Sequence, residues 1–96
     1  MAKVLKEKIV SMEEIGPEIF KMSIQSEYVC ENANPGQFVN VKCSDGITPL
    51  LRRPISICDV DRKKGTFDLV FQVRGAGTKY LSRKKSGSEI DIIAPL

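Results

Sequence analysis

The sequence contains no histidine, and aromatic residues make up only 6% of its 96 residues. Histidine is the most common general base in catalysis, and no pair of carboxylates suited to acid–base work takes its place. Proteins that stack the bases of single-stranded nucleic acid need exposed aromatic side chains. Of the four phenylalanines, Phe67 and Phe71 have the alternation expected of core residues. The sequence therefore predicts no catalytic residue and disfavours a nucleic-acid-binding protein.

Cysteine is scarce and widely spaced, with Cys30, Cys43 and Cys58 as the three cysteines. Zinc and iron–sulfur sites normally contain close pairs of cysteines, which this chain lacks, so we expect no metal site. An odd number of cysteines without an export signal is typical of reduced thiols in the cytoplasm. We therefore expect a cytoplasmic protein in which all three thiols are buried as small hydrophobic side chains.

Long apolar runs are also missing from the sequence. No stretch of eighteen apolar residues could span a membrane, and the charged segment 1–8 does not resemble a signal peptide. Hydrophobic residues account for 42% and charged residues for 28% of the chain, and the formal net charge is +3. These values are typical of one small soluble domain, which we expect to span residues 1–96.

Alternating apolar and polar residues mark six short segments, separated by turn signals such as Asn34-Pro35-Gly36. We predict strands over residues 2–15, 19–26, 37–43, 53–60, 66–74 and 88–94. One helix is predicted over residues 78–85, residues 26–33 fit either a single helical turn or a loop, and residues 44–49 form a polar loop. Six such strands leave open edges unless the sheet closes on itself. The predicted fold class is all-β, a six-stranded antiparallel barrel with one short helix.

The segment Arg53-Pro54-Ile55-Ser56 is unusual for a strand that only fills a core. The guanidinium of Arg53 offers planar donors suited to phosphate oxygens. Proline cannot donate to a sheet ladder, so Pro54 marks a strand start or an edge that a ligand could approach. Ser56 adds a hydroxyl that can donate or accept a hydrogen bond. The same residues also fit a surface arginine, a strand-start proline and an incidental serine.

The segment Arg74-Gly75-Ala76-Gly77-Thr78 follows the fifth predicted strand. Its two glycines let the backbone approach a ligand, and a helix start presents free N–H groups to an anion. Tyr80 occupies the third glycine position of a dinucleotide-binding fingerprint, so the segment is not that motif. Alone it also fits a turn and a helix cap. Together with the arginine segment it indicates a site for a diphosphate-bearing cofactor.

The segments RRPISI, GAGTKYLS and GSEIDIIAPL together resemble the flavin-binding domain of the ferredoxin–NADP⁺ reductase superfamily. Within it they are most similar to the family of electron-transfer subunits of NAD-dependent dihydroorotate dehydrogenases. The resemblance runs from the first strand through NPGQFVNV to Leu96, so it covers essentially the whole chain. It implies an FAD-binding Greek-key barrel of the ferredoxin-reductase type.

The resemblance implies a role for each matching residue. Arg53, which precedes Pro54, would pair with the FAD diphosphate. Ile55 would lie against the flavin ring, and Ser56 would approach the N5 edge of that ring. Further cofactor contacts would come from the fifth strand, through its backbone, and from the helix start: Val70, Phe71, Gln72, Gly77 and Thr78.

The positions of Arg53 and Ser56 raise a geometric difficulty. In a regular strand the two residues have opposite parity and face opposite sides of the sheet. Either the backbone is irregular near Pro54, or the cofactor lies across the edge of the strand. The sequence leaves both alternatives open.

The resemblance also implies parts that lie outside this chain. In the family, an NAD-binding domain and a [2Fe–2S] cluster follow the barrel, so we expect residues 1–96 to be a fragment of a longer subunit, inactive as a reductase alone. The implied partner is the FMN-bearing dihydroorotate dehydrogenase catalytic subunit, in a heterotetramer. Electrons from dihydroorotate would pass through FMN and the iron–sulfur centre to FAD and NAD⁺, in pyrimidine biosynthesis.

Three other functions stay open on the sequence alone. The chain could be the FAD domain of another ferredoxin- or NADP-linked oxidoreductase or of a sulfite reductase, because the fold does not determine the partner. It could be a small basic barrel that binds nucleic acid, with an affinity that falls steeply with salt. It could also be an interaction domain that binds no ligand.

Overall fold

The computed structural model describes residues 3–44 and 51–94 of the chain. Most of the predicted loop over residues 44–49 lies outside the described residues. Within them the chain forms six strands and two short helices: β1 Lys3–Gly16, β2 Ile19–Gln25, α1 Glu27–Asn32, β3 Phe38–Lys42, β4 Arg52–Asp61, β5 Thr66–Gln72, α2 Ala76–Ser82 and β6 Glu89–Ala94.

The six strands form a closed antiparallel barrel in the order β1-β2-β5-β4-β3-β6. Strands β3, β4 and β5 follow one another, and β6 returns to lie beside β3, which is the Greek-key arrangement. The barrel closes through β1, whose beginning pairs with β6 (Lys3 opposite Ala94) and whose end pairs with β2 (Gly16 opposite Ile19). The predicted six-stranded antiparallel Greek-key barrel is confirmed.

The interior of the barrel is filled by the side chains that alternation assigned to it. Phe67, Leu69, Ile90 and Ile92 are at most 1% exposed, as predicted for the fifth and sixth strands. From α2, Leu81 is fully buried in the same cluster. Burial of such side chains stabilises a domain by about 1.5–3 kcal/mol each. The core therefore holds the strands on which any site must be built.

Helix α1 lies in the segment 26–33, which fits either a single helical turn or a loop. The helical alternative is confirmed, and the described residues form two short helices rather than one. Ser26 caps the beginning of α1, because the Ser26 hydroxyl accepts a hydrogen bond of 3.2 Å from the backbone N–H of Val29. Helices this short depend on packing rather than on intrinsic propensity, and Val29 is fully buried. In the described part of the chain, neither helix is long and apolar enough to cross a membrane.

The cysteines differ from the prediction at one position. Cys30 and Cys43 are each 4% exposed, but Cys58 is exposed, so the expectation that all three are buried is wrong for Cys58. The reason is strand alternation, since the neighbouring Ile57 points into the core. Burial raises the pKa of the Cys30 and Cys43 thiols, and nearby arginines offset part of that effect. Among the described residues, no three potential metal ligands lie together.

Candidate functional site

Strand β4 changes its pairing partner at Ile57. Its first half pairs with β3 in an unbroken register, from Arg52 opposite Lys42 to Ser56 opposite Phe38. Its second half pairs with β5, from Ile57 opposite Leu69 to Asp61 opposite Thr66, with a bulge between Ile57 and Asp59. The strand therefore belongs to two ladders, one in each half.

Beyond Ile57 and Leu69, β4 and β5 separate. Residues 52–56 pair with β3, and residues 70–72 pair with β2. Within the described residues no register pair joins these two stretches to each other. We call the opening between residues 52–56 and residues 70–72 the β4–β5 fork. It contains seven of the nine positions predicted to bind a cofactor.

The peptide groups of β5 that face the fork can be assigned from its pairing with β2. The N–H of Val73 donates to the carbonyl of Glu18 at 2.9 Å, on the β2 side. Successive residues of a strand direct their peptide groups to opposite edges. Gln72 and Val70 therefore direct theirs to the fork. Phe71 directs its peptide group to β2, and its side chain is only 6% exposed.

The same reasoning assigns the peptide groups of β4. Ile57 donates to the carbonyl of Gln37 at 2.7 Å and accepts from the N–H of Gly36 at 2.9 Å, both on the β3 side. Pro54 and Ser56 therefore direct their peptide groups to the fork. Proline has no N–H, and here its missing donor faces the opening rather than the β3 ladder. Pro54 thus fits this strand because its β5-facing edge has no ladder at that point.

The side chains of β4 divide between the interior and the outer face. Ile55 is 7% exposed and belongs to the core, so only its backbone could contact a ligand outside the barrel. Pro54 and Ser56 are exposed on the outer face. Phe38 lies directly opposite Ser56 and is 47% exposed. Sequence analysis missed Phe38, although its outward parity in NPGQFVNV could have indicated an exposed aromatic side chain.

The two neighbouring arginines have different environments. Arg52 donates to a carboxylate oxygen of Asp91 at 2.7 Å and to the carbonyl of Asn40 at 3.2 Å. Arg53 is exposed, and within residues 3–44 and 51–94 its guanidinium donates only to the adjacent Arg52 carbonyl, at 3.3 Å. The ion pairs of the described residues are Arg52–Asp91 and one between β2 and β5, so Arg53 has no carboxylate partner among them. One arginine is committed to the protein, and the other is available to an anion.

Gly77 brings α2 against the beginning of β4. It is buried, and a Cβ atom built there would lie 3.2 Å from Cβ of Cys43 and 3.4 Å from Cγ of Arg53. The first distance is shorter than an ordinary contact and the second is at its lower limit, so a side chain at this position would press on Cys43 and displace α2. Gly77 therefore sets how closely the helix approaches the free arginine. Cys43, the other neighbour, was not predicted to lie here.

Thr78 shapes the loop between β5 and α2. Its hydroxyl accepts hydrogen bonds from the N–H groups of Arg74 and Gly75, at 2.8 and 3.2 Å. The helix begins at Ala76, two residues before the predicted start. The hydroxyl thus turns the chain from β5 into α2, at the end of the fork.

The structure brings the predicted positions to one end of the barrel. Arg53, Pro54 and Ser56 lie on one side of the fork, and Val70 and Gln72 on the other. The β3–β4 register is unbroken through Pro54, so the alternative of irregular backbone near Pro54 is wrong. A ligand that meets both Arg53 and Ser56 must lie across the edge of β4. Such a free edge faces the fork only along the first half of β4.

A sizeable concavity lies away from the predicted site. It has a volume of about 730 Å³ and is formed by β1, the end of β2 and the beginning of α1, around Lys6, Gln25 and Tyr28. Its walls carry charges of both signs, including Glu7 and Glu27. None of its lining residues belongs to the predicted site. The fork is instead an opening along the edge of a strand, where an extended ligand could lie.

Comparison with known proteins gives close relatives. The electron transfer subunit of dihydroorotate dehydrogenase B (NAD(+)) from Bacillus mycoides (strain KBAB4) is 44% identical over 88 residues, which are 92% of this chain and 34% of the relative. The same subunit from Bacillus cereus (strain G9842) is also 44% identical over 88 residues. The chain spans about a third of the length of the curated relatives it matches. No protein-family profile matches the chain.

Solved structures share the fold. The structure of an NADH-dependent reduced ferredoxin-NADP oxidoreductase is 35% identical to this chain, with a TM-score of 0.82. The match covers 94% of this chain and 32% of the oxidoreductase chain. The siderophore-interacting protein from Acinetobacter baumannii has a TM-score of 0.83 at 15% identity, over 100% of this chain and 41% of its own. The resemblance expected from the sequence is confirmed. The chain is a homologue of about one third of the electron transfer subunit of dihydroorotate dehydrogenase B, with the barrel fold of ferredoxin reductases.

Proposed function

We propose that the chain is the FAD-binding module of an electron-transfer subunit, with FAD held across the β4–β5 fork. The observation that carries the proposal is the separation of β4 from β5 beside an arginine that has no carboxylate partner among the described residues. Relatives named as the electron transfer subunit of dihydroorotate dehydrogenase B support the electron-transfer role. The barrel shared at 35% identity with a ferredoxin-NADP oxidoreductase of flavin-based electron bifurcation supports the flavin.

The residues of the fork fit the chemistry of FAD. A flavin ring has donors and acceptors along its edge, and the fork offers peptide groups of Ser56 on one side and of Val70 and Gln72 on the other. A diphosphate needs cations and close backbone, and Arg53 and Gly77 lie together at the end of the fork. When bound, FAD would supply the redox chemistry, because a flavin can accept and pass on electrons singly or in pairs.

Each residue would then have a distinct task. Arg53 would bind the diphosphate, because its guanidinium is permanently charged and no carboxylate of the described segments neutralises it. Gly77 would keep α2 close to that diphosphate, and Thr78 would hold the loop before it. Ser56 would donate to or accept from the ring at its redox end, and so influence the stability of the reduced form.

The activity of the whole parent protein is part of the proposal. We infer that the full subunit receives electrons from an FMN-bearing dihydroorotate dehydrogenase catalytic subunit in a heterotetramer and delivers them to NAD⁺. Sites for NAD and for a [2Fe–2S] cluster would lie outside this chain, so residues 1–96 alone should not oxidise NADH. The three free cysteines fit the reducing conditions of the cytoplasm.

A titration with FAD tests the site directly. Flavin fluorescence would be followed as FAD is added to the purified chain and to the Arg53→Ala and Ser56→Ala variants. Loss of a charge-assisted hydrogen bond costs about 1.5–3 kcal/mol, so Arg53→Ala should weaken binding about 10- to 100-fold. Ser56→Ala should alter the absorbance spectrum of the bound flavin more than its affinity.

Two controls accompany the titration. Arg83→Ala removes an exposed arginine at the end of α2, and Ser11→Ala removes an exposed serine of β1. Neither variant should change the affinity for FAD by more than twofold, and neither should alter the absorbance spectrum of the bound flavin. Equal losses in Arg53→Ala and Arg83→Ala would show that only net charge matters and would overturn the assignment of Arg53. Absence of FAD binding by a folded chain, and by the full-length subunit, would overturn the proposal.

A second function is favoured by one observation. The NADH-dependent reduced ferredoxin-NADP oxidoreductase structure is 35% identical to this chain over 94% of its length. The module could therefore serve a ferredoxin- or NADP-linked reductase, with FAD in the same fork. The full-length subunit, purified with the partner it retains, separates the two functions. Reduction of its flavin by dihydroorotate supports the first, and reduction only by ferredoxin or NADPH supports the second.

A further inference from the structure

A row of charged side chains crosses the barrel beside the fork. Arg52 of β4 lies opposite Lys42 of β3, and Asp91 of β6 lies opposite Lys6 of β1. The register of β3 with β6, in which Val41 lies opposite Ile92, places Lys42 beside Asp91. Three cations and one carboxylate therefore lie in one row on the outer face of four strands.

Within this row the carboxylate is bound by the most distant cation. The Nη2 atom of Arg52 lies 2.7 Å from Asp91, although β3 runs between their strands. The Nη1 atom of the same guanidinium donates to the carbonyl of Asn40 on β3. The side chains of Arg52 and Asp91 are only 19% and 21% exposed. The arginine thus ties the first half of β4 to both β3 and β6, at the point where Arg53 begins the fork.

We propose that the Arg52–Asp91 pair is a positioning device that holds the first half of β4 away from β5 and thereby keeps the fork open with Arg53 at its mouth. The proposal rests on the proposed function, since the fork is where FAD would bind. Its physical basis is competition between two ladders. Pro54 and Ser56 direct peptide groups to β5, so release from β3 would let this half move toward Val70 and Gln72.

The rival explanation is that Arg52 acts as a second cation for the diphosphate. The two explanations predict opposite effects of replacing Asp91 on the affinity for FAD. If Arg52 binds the ligand directly, Asp91→Asn frees it and removes a negative charge, so FAD should bind more tightly. If the pair positions β4, Asp91→Asn breaks the pair and FAD should bind more weakly. The same carboxylate therefore separates attraction from positioning.

The experiment compares Arg52→Gln, Asp91→Asn and the double variant, each titrated with FAD. We expect each single variant to weaken binding about 5- to 20-fold. The double variant should be no weaker than either single variant, because one interaction is lost in all three. Arg52→Lys keeps the charge but not the two-point contact, so it should recover only part of the affinity. The matched control is Lys21→Gln, which breaks the Lys21–Asp68 pair of β2 and β5 (3.7 Å).

A second measurement needs no ligand. Amide hydrogen exchange of Arg53 and Ile55, whose peptide groups face β3, would be followed in the FAD-free protein. Loss of the pair should speed exchange at both amides about tenfold, while Lys21→Gln leaves them unchanged. If FAD binds neither the unaltered chain nor any variant, the proposed function fails. The exchange measurement would still decide whether the Arg52–Asp91 pair positions β4. Unchanged exchange in Arg52→Gln, or tighter FAD binding by Asp91→Asn, would overturn the proposal.

Discussion

The two halves of β4 have the same strand conformation but opposite surroundings. The second half, from Ile57 to Asp61, pairs with β5 and ends in a hairpin turn. The first half, from Arg52 to Ser56, pairs with β3 and leaves its other edge to the fork. One strand therefore serves both as a wall of the barrel and as one side of the candidate site. The change of partner at Ile57 is what separates the two uses.

The charges of the two halves differ as well. The first half begins with Arg52 and Arg53, and the second carries Asp59 and Asp61. Asp61 accepts hydrogen bonds from the N–H groups of Lys63 and Lys64 at 3.1 Å each, and so stabilises its own turn. Among the described residues, the carboxylates of Asp59 and Asp61 accept hydrogen bonds from backbone N–H groups of their own segment, whereas the guanidinium of Arg53 has no carboxylate partner. A charge with a structural role is therefore already bound by other groups of the protein, and a charge available to a ligand is not.

Replacing Ile57 with alanine should produce the largest effect on stability. Ile57 is 1% exposed and lies where the closed half begins. Truncating a fully buried isoleucine costs about 2–5 kcal/mol of the free energy of unfolding. Urea denaturation would measure that cost. Arg53→Ala, in the open half, should change the same free energy by less than about 0.5 kcal/mol. Equal losses in the two variants would remove the distinction between wall and site.

Gly77→Ala should act at the junction of α2 and the open half. The added methyl group would meet Cβ of Cys43 at 3.2 Å and Cγ of Arg53 at 3.4 Å. Overpacking of this kind against Cys43 costs about 1–3 kcal/mol and should also weaken FAD binding, because a displaced α2 would move the start of the helix away from the diphosphate. Gly75→Ala is the matched control, since a Cβ there meets nothing within 4 Å. Thermal unfolding and FAD titration of both variants would check the difference.

Asp61→Ala should affect the closed half alone. The loss of two exposed backbone-to-carboxylate hydrogen bonds in the hairpin turn should lower the free energy of unfolding by about 1 kcal/mol. FAD affinity should stay within twofold of that of the unaltered chain. Asp61→Asn retains one acceptor oxygen and should lose less stability. A large loss of FAD affinity in Asp61→Ala would mean that the two halves are coupled.

The pH dependence of stability should show the smallest effect. Burial raises the pKa of the Cys30 and Cys43 thiols above the ordinary value of 9.0. Below pH 9 the thiols are protonated in both states. Above it they ionise first in the unfolded chain, so the free energy of unfolding falls as pH rises through the raised pKa values. Chemical denaturation between pH 8 and about 10.5 would measure this fall, which a Cys30→Ala/Cys43→Ala variant should reduce.

Much of the barrel could be predicted from the sequence because alternation is a local signal. Phe67 and Phe71 were assigned to the core by alternation, and they are 0% and 6% exposed. Closure followed from the cost of open edges. Helix α1 could not be distinguished from a loop because its six residues depend on tertiary packing rather than on a periodic pattern.

The candidate site was less predictable because its features are nonlocal. Arg52 and Arg53 are indistinguishable in sequence, and their difference depends on Asp91, 39 residues from Arg52. The parity of Arg53 and Ser56 suggested two geometries, and only the pairing of β4 with β3 excludes one of them. The change of partner at Ile57 likewise depends on which strands are neighbours, and no local pattern reports that.

The closure of the barrel through β1 has a consequence for the order of folding. Lys3 pairs with Ala94, so the first strand cannot complete its ladder until β6 has left the ribosome. Until then its first half, with Val4 and Leu5, is an unpaired edge open to other chains. Pairing over such a long separation is slow, because much of the chain must be ordered before the contact forms. The first strand of the barrel is thus among the last whose edge is protected from pairing with other chains.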